Sequence, residues 1–185
     1  MIDFLQGELE LQAGILQAAS GNFTSAFNYF TEAFCVYTSC LHAETSRALK
    51  YMILCQIMLK DVVKVKNIFR DEVELDCEDA ELECLRVVTA AVEANSIQQF
   101  QTALHTFPGH MQLDLFIRSN LETLYHTILQ DNIINIILPF SRLQIPFIAE
   151  KIGIPSAQVM VPRYKINAPL YLCNSKANPS LKIFE

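Results

Sequence analysis

The chain has no tryptophan, and five glycines and seven prolines among 185 residues exclude a collagen-like or low-complexity protein. Its most apolar run, Ala48 to Leu59, stops at 12 residues and contains Lys50 and Gln56, whereas a membrane-spanning helix needs about 20. No membrane span is expected. The first ten residues carry Asp3, Glu8 and Glu10 and no basic group, the reverse of a signal or transit peptide, so the expected address is cytoplasm and nucleus. Six cysteines (35, 40, 55, 77, 84 and 173) include no Cys-x-x-Cys pair, and no histidine stands at zinc-ligand spacing from two of them. Reduced thiols are expected, with neither disulfide nor metal.

Catalytic signatures are missing as well. There is no Gly-x-Gly-x-x-Gly, no phosphate-cradling loop and no nucleophile elbow. His42, His105, His110 and His126 are scattered, and no His-x-His accompanies a distant Ser and Asp as in a metal-dependent isopeptidase. The carboxylate pairs Glu72/Glu74 and Glu78/Asp79 lie in a highly charged stretch with nothing to desolvate one member and split their pKa values. No catalytic residue, cofactor or small-molecule substrate is expected.

What is present is a 51% hydrophobic chain of net charge −6, enough for one substantial core or two small coupled ones. The charge is uneven. Residues 1–138 hold 8 Lys or Arg against 18 Asp or Glu, and residues 139–185 hold 6 against 2. Such asymmetry marks two regions, the second able to meet an acidic surface or a nucleic acid.

The first region reads as stacked helices. In residues 9–34, Gly14 lets two helices approach, Gly21-Asn22 turns the chain, and Ala26, Phe30 and Ala33 recur four and three apart along the second helix. This small/aromatic alternation matches tetratricopeptide-type (TPR-like) hairpins, which bury their faces only by stacking. Residues 43–60 spell a helix apolar nearly all round, expected between two layers. Asp61 to Glu83, with nine acidic residues, reads as a loop or exposed surface helix. Further helices are expected over 80–94, over Ile97–Phe107 with Ser96 as cap, and from Asp114 to Pro139, where Leu113, Ile117, Leu121, Leu124 and Ile128 form one stripe.

After Pro139 the pattern changes. Ser141 can cap a turn, Pro146 opens a short helix that Gly153 closes, and Pro155-Ser156 restart another, which is helix-turn-helix spacing. Alternating Ala168, Leu170 and Leu172, then Leu181 and Ile183, flank the turn-rich NSKANPS and read as a β-hairpin. A hairpin after a helix-turn-helix is a winged helix. Its second helix, Ser156 to about Tyr164, is short, contains Pro162 and offers only Arg163 and Lys165 as cations, which argues against nucleic-acid binding.

Helical repeats running into one winged helix resemble the PCI family, named for the proteasome lid, the COP9 signalosome and a translation initiation factor. The likeness is carried by residues 11–34, by 48–59 with Lys50-Tyr51-Met52, and by 120–154 with Pro139-Phe140-Ser141-Arg142 and Gln144-Ile145. Asp114 to Arg118 and Ile145-Pro146-Phe147-Ile148 look more like the signalosome member, the opening hairpin more like the lid member, and the lid is favoured. The resemblance implies a mainly α protein, a TPR-like stack over 1–138 and a winged helix over 139–185, together forming a PCI domain. It implies a non-catalytic scaffold whose partners are other PCI subunits of the lid or signalosome. The subunit interface would use Phe140, Ser141, Arg142, Gln144, Leu170, Tyr171, Leu172, Leu181 and Ile183, with strands at 168–173 and 180–184 pairing edge to edge. Gly14, Gly21, Ala26, Phe30 and Ala33 would pack the repeat. Relatives carry a long helical arm ahead of the segment where this chain begins and a helix after the wing, so a short form or fragment is the expectation.

Overall fold

A computed structural model describes residues 2–71, 80–106, 114–139, 143–153 and 172–173. Described are α1 (Ile2–Ala19), α2 (Phe23–Ser39), α3 (Thr45–Met58), α4 (Val62–Asp71), α5 (Ala80–Glu93), α6 (Ile97–Thr106), α7 (Leu115–Ile137), β1 (Leu143–Gln144), α8 (Ile145–Ile152) and β2 (Leu172–Cys173). The described part is mainly helical.

α1 and α2 form an antiparallel hairpin. Gly21 takes φ +80°, and Asn22 caps α2 by accepting from the Ser25 amide at 3.4 Å. Along the hairpin two glycines face two aromatic rings in one register. A Cβ on Gly14 would sit 2.5 Å from the Phe30 ring, and one on Gly7 2.7 Å from that of Tyr37, seven residues along each helix. The backbones therefore approach where the rings are largest. Leu11, Ala18, Ala26 and Ala33 fill the buried seam between them.

Four helices stop in the same manner. At Gly21, Leu41, Lys60 and Asn95 the chain turns left-handed, and the next amide reaches back five residues, as in His42 to Tyr37 at 3.0 Å and Asp61 to Gln56 at 3.0 Å. This Schellman geometry satisfies the last carbonyls of each helix. Leu41 and Lys60 adopt it despite carrying a Cβ.

α3 lies in the middle, with every residue from Tyr51 to Ile57 buried. It contacts α2, α4, α5 and α7, which is why it needs no polar face. α4 exposes most of its surface and buries Val65, while Ala80 to Glu83, where the expected surface stretch to Glu83 overlaps the helix expected over 80–94, belong to the first turn of α5 and bury Leu82. α7 starts at Asp114, whose Oδ1 accepts from the amides of Phe116 (2.9 Å) and Ile117 (3.3 Å). Its buried stripe runs through Ile117, Leu121, Leu124, Ile128, Ile133 and Ile137.

The chain does not break into separate cores at Pro139. Ile148, Ala149 and Ile152 of α8 join the same buried cluster as Ile137 and the helices before it. Gly153, at φ +76°, brings the end of α8 so close to Gln98 of α6 that a Cβ would lie 2.7 Å from Nε2. Leu143 and Gln144, for which the sequence reading expected no strand, form one: β1 pairs with β2 in parallel, Leu143 beside Leu172 and Gln144 beside Cys173. Two residues are too few to show alternation. A parallel pair needs a long crossover, and α8 lies within it.

Candidate functional site

Two places concentrate polar chemistry or open backbone. The first is the strand pair with α8. Gln144 lies in β1 and Leu172 in β2; Phe140, Ser141, Arg142, Leu170, Tyr171, Leu181 and Ile183 lie outside the described residues, as do the remainder of the expected hairpin, Arg163 and Lys165. Among the described residues this sheet has two strands, with no third strand on either side. α8 buries Ile148, Ala149 and Ile152 and turns Pro146, Phe147, Glu150 and Lys151 outward. The Lys151 ammonium lies 5.7 Å from the centre of the Phe147 ring, so an exposed aromatic and a cation stand together beside the strands.

The second is a cleft of about 980 Å³ between the α1–α2 turn, α3, the start of α5 and the N-terminus of α7. Ile15, Phe23, Leu115 and Phe116 form apolar walls, with Arg47, Lys50, Glu81 and Asp114 around them. At its base, buried Tyr51 donates to Asp114 Oδ2 at 2.7 Å and accepts from Arg47 Nε at 2.9 Å. Burial, followed by the hydrogen bond to Asp114, drives the Tyr51 phenol far above its ordinary pKa. Lys50 reaches Glu81 at 2.5 Å and ties α3 to α5. These groups bind one another across helix boundaries, so the base of the cleft holds α3, α5 and α7 together. The Phe30, Tyr51 and Phe116 rings meet behind it with centroids 4.4 to 5.6 Å apart, Phe30 edge-on to both and Tyr51 tilted against Phe116, joining α2, α3 and α7.

The other singled-out residues are dispersed. His42 uses Nδ1 to accept from the Glu44 amide at 3.2 Å at the entrance to α3, and its ring stacks on Tyr37. His105 and His126 are exposed on different helices. Cys55 and Cys84 are buried, which pushes their thiols up to about 12 and about 11, whereas Cys35 and Cys40 are exposed. Among the described residues, no group of three or more His, Cys, Asp or Glu could hold a metal ion, and no helix is long and apolar enough to cross a membrane. The sequence reading missed the cleft. Tyr51 and Asp114 are 63 residues apart, and the only local signal is an aspartate placed to cap an apolar helix.

Residues 104–160 match the model of the PCI domain. They run from the last three residues of α6 through α7, β1 and α8, so the helix that caps on Asp114 and the body beside the strands fall within one stretch that matches the PCI domain. It is 37% identical over 156 residues to the probable 26S proteasome regulatory subunit rpn6 of Schizosaccharomyces pombe, covering 84% of this chain and 37% of that protein. It is 35% identical over 157 residues to the probable 26S proteasome regulatory subunit rpn-6.1 of Caenorhabditis elegans, covering 84% and 36%. With the 26S proteasome non-ATPase regulatory subunit 11 homolog of Arabidopsis thaliana, identity is 33% over 150 residues, covering 81% and 36%. The chain thus spans a little over a third of the length of these relatives.

Proposed function

We propose that this protein is a non-catalytic scaffold subunit of the proteasome regulatory particle lid, working in cytoplasm and nucleus in ubiquitin-dependent protein degradation. The observation that carries the reading is the length of the likeness: it covers 84% of the chain, so it extends beyond the PCI segment into the helices before it. The cleft supports it, since its ionisable groups are spent on one another. In this reading residues 1–138 are a TPR-like stack and residues 139–185 a winged helix, with strands at 168–173 and 180–184. Phe140, Ser141, Arg142, Gln144, Leu170, Tyr171, Leu172, Leu181 and Ile183 then meet other PCI subunits along a strand edge.

Affinity purification of the tagged chain from its own cells, followed by mass spectrometry, tests this. Lid subunits should co-purify. Signalosome subunits in their place would assign the chain to that complex, the alternative that Asp114 to Arg118 and Ile145 to Ile148 bring to mind. Recovery of neither set would sink both scaffold readings. A winged-helix nucleic-acid adaptor predicts instead salt-dependent binding to duplex DNA or RNA, and no such binding is expected at micromolar protein.

A further inference from the structure

We draw no further inference here: the strongest candidate, the cleft between the α1–α2 turn, α3, the start of α5 and the N-terminus of α7, is bounded by Glu81 and Asp114, where the chain arrives from residues 72–79 and 107–113 outside the described part, so nothing in the structure shows what covers it.

Discussion

Phe30 is fully buried against Gly14 on one side and the rings of Tyr51 and Phe116 on the other, so it has nowhere to move. Adding a single methyl group at Gly14 therefore forces the two helices apart. Gly14→Ala should lower unfolding free energy by about 1–3 kcal/mol despite the better helix propensity of alanine, as measured by urea denaturation. Gln56 poses the opposite case. It is 2% exposed, and its Oε1 has no hydrogen-bond partner among the described residues. Gln56→Met keeps the side chain's length and removes the stranded acceptor, so it should raise stability by about 1 kcal/mol. A loss of stability would mean that the amide serves some purpose other than packing.

Among the elements, the N-terminus of α7 carries the most connections. Asp114 caps the helix with Oδ1 and holds the Tyr51 hydroxyl with Oδ2. Asp114→Ala should cost about 2–4 kcal/mol, the sum of a lost cap and a stranded buried hydroxyl. Tyr51→Phe should cost less, because Asp114 keeps its cap and Arg47 keeps Glu44. In a double-mutant cycle the two changes should be non-additive, the double variant costing less than the two singles combined. The positions of most helices are legible in the sequence, because Asn22, Ser96, Asp114 and Pro139 carry the chemistry of starts and stops in their own side chains. The left-handed ends at Leu41 and Lys60 are not, since nothing in leucine or lysine favours that conformation. Gly7 was within reach: Tyr37 follows Phe30 by seven residues, as Gly14 follows Gly7. The strand at Leu143-Gln144 and the cleft are set by partners 29 and 63 residues away, and periodicity speaks only about near neighbours.

At the scale of the whole molecule, one core joins the helices on both sides of Pro139. Loss of any part of that cluster should be felt throughout, as a single unfolding transition seen alike by far-ultraviolet dichroism and tyrosine fluorescence. Its alkaline limit follows from a phenol. Burial, and then the nearby Glu8 carboxylate, push Tyr37 up to about 12. Below about pH 10 the phenol is protonated in both states, and its contribution to stability is complete. Between about pH 10 and 12 the unfolded chain releases a proton that the folded chain retains, so stability falls as pH rises. The urea midpoint should drop from pH 9 to pH 11 by more in the parent than in Tyr37→Phe; equal drops would show that the phenol contributes nothing.

The parallel pairing of Leu143-Gln144 with Leu172-Cys173 also bears on the protein's birth. The contacts between α1 and α2 lie within the first 39 residues, so the two helices can meet while the rest of the chain is still being translated. The strand pair has no such freedom. Until residue 173 has cleared the ribosome, β1 lacks the strand with which it pairs among the described residues. Pairing of this kind is entropically costly and slow compared with local helix contacts. The nascent protein would thus pass through a stage with its first helices in place and β1 not yet joined to β2.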